Sequence, residues 1–424
     1  MYDLKFVRAN EARLREAIAR KGDQADLDRI LELDRQRREI LVEVEALKAK
    51  RNRHSQEIGR GKSAGQDVSE AITATRELGD RIQVHDERVR AIDAEIAERL
   101  QWVPNIPHPS VPSGDAGANQ VVRAWGEPRP PVGLRDHLTL GCELGLLDLP
   151  AGSRLSGSGF AVFSGMGARL QRALIDFMID RHVANGYREM RVPYITRGET
   201  LFGCGQLPKL REDMYAIAEE DLFLIPTAEV PLTNLFREVE LQEADLPILM
   251  VAYSPCFRRE AGAYGKETHG LIRVHQFDKV EMVRLVTPAS SYEALEQLTA
   301  DAEGVLQALE LPYRVLLLAS GDLSFASAKC YDLELWAPGE GRWLEVSSCS
   351  NFEDFQARRI GLRYRASDGK LRHLHTLNGS GVALPRLTVA LLEHYQTPAG
   401  TVQVPAALRP YLGGLTEITP PRPV

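Results

Sequence analysis

The chain has 424 residues, 44% hydrophobic and 26% charged, with a formal net charge of −7 at pH 7. That length exceeds one ordinary core and suits two domains or a domain with an appendage. The acidic balance argues against bulk coating of nucleic acid, though it permits one locally basic surface, and no stretch approaches the roughly 18 consecutive apolar residues of a membrane span.

The N-terminal stretch MYDLKFVRANEARLREA is charged from its third residue and has no apolar signal core, so a cytoplasmic protein is expected. Between residues 27 and 100, Leu33, Ile40 and Leu47 recur every seven positions with Val44 between them. Leu78, Ile82, His85, Val89, Ile92 and Ile96 follow at alternating steps of four and three. Both runs are heptad-like seams. The intervening GRGKSAGQD, Gly59 to Asp67, holds three glycines and predicts a helix break and reversal. Two helices of about 40–50 Å in an antiparallel coiled-coil hairpin are expected. Such a hairpin serves either dimerisation or contact with a partner. The cations Arg35, Arg37, Arg38, Lys48, Lys50, Arg51, Arg53, Arg60 and Lys62, on the first helix and tip, favour the second use.

WVPNIPHPSVPSGD, Trp102 to Asp115, carries four prolines and reads as a linker. A second polar stretch, NQVVRAWGEPRPP, leads into Asp136. The body begins near 135. Leu170 to Tyr187 has helical apolar spacing and a stop at Gly186. LFLIPTAEVPL, LPILMVAYSPCFRRE, LIRVHQFDKVEMVRLV, YRVLLLA and KCYDLELWAP are β-favouring runs bounded by Gly, Pro or Asp. Strands that follow one another without intervening helices predict an α+β body with a largely antiparallel sheet. Neither GxGxxG nor GxxxxGK[ST] occurs.

Cys142, Cys204, Cys256, Cys330 and Cys349 are scattered, with no CxxC pair. Reduced thiols are expected, and no zinc.

Chemistry concentrates in a few segments. FRREAGAYGKETHGLIRVHQFDKVE, Phe257 to Glu281, predicts a strand ending at Arg258-Arg259-Glu260. A loop with Gly262, Gly265 and Gly270 follows, then a returning strand from Leu271. Arginine at a strand end suits a phosphate clamp, and Phe277 offers a plane on which a base can stack. LNGSGVALPRLTVALLEHYQ predicts a Gly-Ser-Gly turn before a helix with Arg386 near its start, an arrangement suited to an anion. WLEVSSCSNFEDFQARR predicts Glu345, Ser347 and Ser348 at a strand end, suited to Mg²⁺ held through nucleotide phosphates. IPTAEVPL presents Thr227 and Glu229 after a short strand. Each motif alone also fits solvated charges on an ordinary hairpin or strand end.

Together they are specific. With FGCGQLPKLREDMY, the N-terminal hairpin and the VPNIPHPSVP linker, the chain resembles the bacterial seryl-tRNA synthetase family of class II, along essentially its whole length. The resemblance implies an N-terminal tRNA-binding domain over 1–101, a linker over 102–134 and a class II catalytic domain over 135–424. It implies ATP bound with Mg²⁺. Arg258 lies on the α-phosphate, Arg386 near the γ-phosphate, Phe277 on adenine and Glu260 at its amino group. Glu345 and Ser348 hold the metal-bound phosphates, and Arg259, Val274, Val346 and Ser347 complete the ATP site. Thr227, Ala228, Glu229, Glu281 and Ser380, with Arg258, line the serine site. Arg258, Arg386 and Glu345 carry the catalysis. The arm, through Arg35, Arg38, Lys48, Arg51, Arg53, Arg60 and Lys62, meets the long variable arm and elbow of tRNA(Ser) across a homodimer. tRNA(Sec), where present, is a second substrate, and no DNA or membrane partner is implied. The loop from Gly262 to Gly270 would meet the tRNA acceptor end. The chain departs from the family pattern at Cys204, where relatives often carry Thr, at Arg259, often Ser, and at His269, often Arg. A carrier-protein ligase and a non-catalytic tRNA-binding paralogue are the competing readings. The intact hairpin argues against the first, and the presence of Arg258, Glu281 and Arg386 against the second.

Overall fold

The computed structural model describes residues 1–261 and 270–421. The chain divides into two compact units, Met1–Pro104 and Asn105–Val424.

In the first unit, two short helices, α1 (Leu4–Ala9) and α2 (Glu11–Lys21), precede the long helices α3 (Leu27–Ser63) and α4 (Ser69–Leu100). The Asp26 carboxylate accepts from the Arg29 amide at 3.0 Å and caps the start of α3. Ile30, Leu33, Ile40 and Val44 of α3 are buried, as are Leu78, Ile82, Ile92 and Ile96 of α4. These are the residues of the two heptad seams, and a seam at this spacing can bury itself only against another helix. Arg29 pairs with Glu95 at 2.9 Å and Arg37 with Asp93 at 2.5 Å, which fixes the antiparallel register.

The expected break falls later than the glycines suggest. Helix α3 passes through Gly59 and Gly61 and ends at Ser63, so it is about 55 Å long. An isolated glycine costs a helix only about 1 kcal/mol. Gly61 is there for closeness, because a Cβ on it would lie 2.7 Å from Val68 Cγ1. The reversal itself uses Gly65, whose φ of +74° is left-handed.

The second unit is built on an eight-stranded sheet. In chain order its strands are β1 (Gln120–Trp125), β2 (Arg188–Glu189), β3 (Ile248–Phe257), β4 (Gln276–Val286), β5 (Tyr313–Leu317), β6 (Lys329–Ala337), β7 (Arg342–Asn351) and β8 (His375–Ala383). Their spatial order is β1-β5-β6-β7-β8-β4-β3-β2. Every pairing is antiparallel except β2 with β3. The predicted α+β class is what the structure shows.

Alternation along β4 sends side chains to two different cores. Val280, Met282 and Val286 join a large cluster with Leu170, Leu174 and Met178 of the helix Met166–Ala184 and Leu295 and Leu298 of the helix Ser291–Ala308. Val283 and Leu285 join a second cluster with Ala228, Leu232, Ala357 and Ile360. Phe277, Lys279 and Glu281 share the second face, nearer the start of the strand.

Four readings of the body need correction. Part of the stretch read as a linker over 102–134 is built into the second unit. Residues 120–125 form the edge strand β1, paired with β5. Buried Asn105 donates through Nδ2 to the carbonyls of Ala326 and Phe352, each at 2.8 Å. Second, Gly379-Ser380-Gly381 is no turn but the middle of the central strand β8. Third, Glu345 and Ser348 lie within β7, not at its end. The returning strand also begins later than expected, at Gln276 rather than Leu271.

Two bulges explain why these strands read poorly. Opposite β4, Glu281 pairs with Ser380 while Val280 pairs with Val382, so Gly381 is the extra residue. Opposite β6, Leu333 pairs with Ser347 while Glu334 pairs with Glu345, so Val346 is extra. A bulge re-aims the side chains on either side of it, and here they are Ser380 and Glu345. Val382 carries a φ of +132°, which a β-branched residue adopts only where its surroundings enforce it.

A Cβ on Gly381 would lie 2.5 Å from Nε2 of His182, which is fully buried. Gly381→Ala is therefore expected to cost about 1–3 kcal/mol of stability. Chemical denaturation measures it, and an unchanged midpoint would show that the ring can yield.

Candidate active site

One face of β4, with the ends of its neighbours, gathers most of the expected residues. At its start, the Arg258 guanidinium stands 5.2 Å from the centroid of the Phe277 ring. Arg258 follows the last residue of β3 and is held by its backbone: its amide donates to the His275 carbonyl at 2.9 Å, and its own carbonyl accepts from His275 Nδ1 at 3.0 Å. Its Nε donates to the Pro226 carbonyl at 3.4 Å. The charged end is thus fixed at a strand terminus beside an aromatic plane. Glu260, at a left-handed φ of +53°, is ion-paired with Arg273. The Arg259 amide donates to the Asp213 carbonyl at 2.9 Å. Val274 is buried behind this end of the site. Gly262, Gly265 and His269 lie outside the described residues.

Further along the same face lies a buried polar pocket. Thr227 Oγ1 donates to Glu281 Oε2 at 3.2 Å and accepts from the Glu229 amide at 3.2 Å. Lys279 is ion-paired with the same Glu281 oxygen. Glu229 starts the short helix Glu229–Asn234 and accepts from Gln356 Nε2 at 2.7 Å, while Gln356 Oε1 accepts from Thr376 at 2.6 Å. Ala228 is fully buried under that helix, and Ser380 is buried directly opposite Glu281 in the sheet. Burial pushes the Glu229 carboxyl up to about 7, and the Glu281 carboxylate adds to the shift. Gln356, Lys279 and Arg258 oppose it.

The third part is acidic. Glu345 is half exposed, and its backbone carbonyl accepts from Arg386 Nη1 at 2.8 Å, with Oε2 at 3.5 Å from the same nitrogen. Arg386 Nε also donates to the Ile272 carbonyl at 3.1 Å. It sits in the first turn of the helix Leu384–Tyr395, so two carbonyls and a helix start aim it at the site. Ser348 faces Asp332 across the ladder. Burial and the Glu345 carboxylate push the Asp332 carboxyl well above the usual range, with Ser348 opposing. Two carboxyls that repel each other beside a hydroxyl form the donor set of a hard divalent cation. Ser347 points the other way, donating to the Ser380 carbonyl at 2.6 Å, and Val346 is buried.

The structure therefore brings Arg258, Phe277, Thr227, Glu229, Glu281 and Ser380 to one face, and Arg386 to Glu345. Four residues escaped the sequence reading: Lys279, Asp332, Gln356 and Thr376. Lys279 had a signal, since a period of two puts it on the face of Phe277 and Glu281. Cys204 is buried with Leu201, Leu207 and Val230, and its Sγ accepts from Asn234 Nδ2 at 3.4 Å.

Among the described residues, His137, Glu340 and Glu393 also bring three possible ligand atoms within 4.8 Å of one another. Glu393 is already satisfied there. Its Oε1 accepts from the His137 amide at 3.0 Å, and Oε2 from the amides of Gly339 at 2.8 Å and Glu340 at 3.1 Å. The trio ties the chain at His137 to the C-terminal helix.

On the arm, Arg35, Arg53, Arg60 and Lys62 are exposed and Arg51 is half-buried. Arg38 pairs with Asp34 at 3.1 Å, and Lys48 approaches Asp86 at 3.9 Å.

A sheet of this order, with arginine at the end of one strand and at the start of the last long helix, defines a class II aminoacyl-tRNA synthetase core. The class II core model for the G, H, P, S and T enzymes matches residues 214–395. The seryl-tRNA synthetase N-terminal domain model matches residues 1–107. The chain is 53% identical over 416 residues to the serine–tRNA ligase of Caldanaerobacter subterraneus, covering 97% of this chain and 98% of that one. It is 52% identical over 424 residues to that of Thermomicrobium roseum, covering 99% and 95%. The seryl-tRNA synthetase of Pyrococcus horikoshii, solved with ATP, superposes with a TM-score of 0.94 at 37% identity over 100% of both chains. The chain belongs to the seryl-tRNA synthetase family.

Proposed function

We propose that the protein attaches L-serine to tRNA(Ser) in two steps, through a seryl-adenylate, at the expense of ATP. The observation that carries this reading is the buried pocket of Thr227, Glu229, Glu281 and Ser380 on the sheet face that also presents Arg258 and Phe277. A small amino acid and a nucleotide placed there would meet at the α-phosphate.

In this reading adenine stacks on Phe277, Glu260 takes its amino group, and Arg259 and Val274 border it. Arg258 binds the α-phosphate and the serine carboxylate together. That carboxylate needs no general base, being a nucleophile already. Attack at the α-phosphorus expels pyrophosphate and spreads negative charge over oxygens, which Arg258 and Arg386 stabilise from fixed positions, and attack of the terminal ribose hydroxyl of the tRNA on the seryl carbonyl then expels AMP. Glu345 and Ser348, with Asp332 beside them, would hold Mg²⁺, which neutralises phosphate charge. Val346 and Ser347 shape the floor. Glu229 receives the serine ammonium and Glu281 the hydroxyl, with Thr227, Ala228 and Ser380 closing the pocket.

The arm meets phosphates of the tRNA through Arg35, Arg38, Lys48, Arg51, Arg53, Arg60 and Lys62, contacts that fix position more than sequence. Residues 1–101 serve as the tRNA-binding domain and 135–424 as the catalytic one. A homodimer, a cytoplasmic location and the serylation of tRNA(Sec) where that tRNA occurs complete the proposal. Among the described residues no helix is long and apolar enough to cross a membrane.

Glu281→Ala tests the serine pocket. Serine-dependent pyrophosphate exchange is expected to fall by about 10³-fold or more, because a site built for a hydroxyl loses its partner, while the KM for ATP changes little. Unchanged exchange kinetics would remove Glu281 from the serine site.

The raised Glu229 carboxyl gives a second test. An ammonium group pairs with the ionised form, and in the empty site ionisation is half complete near pH 7. The KM for serine is expected to fall about tenfold per unit as pH rises toward 7 and to level off above it. A KM flat from pH 5.5 to 8 would place the ammonium elsewhere.

A further inference from the structure

Lys279 is 6% exposed and Glu281 1% exposed, and they are ion-paired on one face of β4. A buried ammonium is costly to desolvate, and a buried pair contributes little net stability compared with apolar residues of similar size. Its geometry is more informative. Lys279 Nζ and Thr227 Oγ1 both bind Oε2 of Glu281. Two donors from two different segments therefore converge on one oxygen of the carboxylate, which favours the other as the acceptor for a substrate.

We propose that Lys279 is a positioning residue for substrate selection: with Thr227 it clamps Glu281 through one oxygen and holds the other as the acceptor for the hydroxyl of serine. The inference rests on the reading of Glu281 given under Proposed function. Lys279 lies midway between Phe277 and Glu281, about 7 Å along the strand from each. Its partners across the sheet are Ser254 and Ala383, neither of which is charged. Glu281 is thus its ionic partner in the folded site.

Lys279 has a second consequence. Glu229 faces Glu281 and Lys279 from β4, Gln356 from the helix Phe355–Ile360, Arg258 from the end of β3 and the Cys204 thiol from below. Lys279 is one of the groups that favour its ionised form. Removing the ammonium leaves two carboxyls facing each other with less compensation, so the acceptor for the hydroxyl and the acceptor for the ammonium are weakened together.

The test compares Lys279→Met, Lys279→Arg, Glu281→Gln and the double variant Lys279→Met/Glu281→Gln in serine- and alanine-dependent pyrophosphate exchange. Lys279→Met is expected to raise the KM for serine about tenfold and to lower the preference for serine over alanine about a hundredfold, with the KM for ATP within about twofold of wild type. The pH at which the serine KM levels off is expected to move upward, and Lys279→Arg to recover most of the preference. If Glu281→Gln abolishes the preference while Lys279→Met leaves it intact, the role given to Lys279 is overturned. If Glu281→Gln itself leaves the preference intact, the serine-site reading falls, and the inference with it. A parallel rise in the KM values for serine and ATP would mark Lys279 as packing only and also overturn the role. Should Lys279→Met fail to fold, recovery of the fold in the double variant would support charge pairing with Glu281. Failure of both would contradict it.

Discussion

Arg258→Ala is expected to lower serine-dependent pyrophosphate exchange by about 10²–10³-fold, the loss seen when one fixed donor to a developing oxyanion is removed. The effect is large because the guanidinium needs no reorganisation during reaction. Its backbone is bonded in both directions to His275, and its charged end is placed between the Pro226 carbonyl and the Phe277 ring. Arg258→Lys is expected to recover only part of the rate, since an ammonium cannot bind carboxylate and phosphate oxygens as a planar fork does. Both variants should fold, because the side chain is half-buried and belongs to neither core cluster. Exchange within a few-fold of wild type in Arg258→Ala would place the reacting phosphate elsewhere.

Deletion of residues 33–97 is expected to abolish charging of tRNA and to leave adenylate formation near wild type. The hairpin can be removed at its base because the retained Asp26 and Arg99 are ion-paired at 3.3 Å, so the two helices run side by side there and a short Gly-Ser connection joins them. What is lost is a set of exposed cations, including Arg35, Arg53, Arg60 and Lys62. Their binding should also be sensitive to salt, with tRNA affinity in the full chain falling steeply between low and physiological ionic strength. Charging that survives the deletion would overturn the role given to the arm.

The arm was largely legible because its information is local. Seam residues seven apart demand a partner helix wherever the chain goes, and the reversal falls within the expected Gly59–Asp67, although Gly59 and Gly61 are tolerated inside α3 and only Gly65 makes the turn. The sheet was legible as strands but not as neighbours. Nothing local announces that Gln120–Trp125 pairs with Tyr313–Leu317, or that Asn105 bonds to carbonyls more than 200 residues away. Gly379-Ser380-Gly381 carries the composition of a turn and the pairing of a central strand. Its glycines answer to close neighbours, Cys349 and His182, that the local sequence does not name. Three of the missing site residues share this cause: Asp332, Gln356 and Thr376 gain their meaning from Ser348 and Glu229, supplied by other segments, whereas Lys279 shares its strand with Glu281 and could have been found from the period of two.

The most direct measurement is AMP formation and acid-stable labelling of tRNA by the purified full chain with ATP, labelled serine and tRNA(Ser). The prediction is serine-dependent pyrophosphate exchange without tRNA, serine incorporation into tRNA when it is added, and neither with alanine in place of serine. Exchange without transfer to tRNA would indicate a ligase for another carrier. Absence of both activities in a folded protein would contradict the catalytic reading outright.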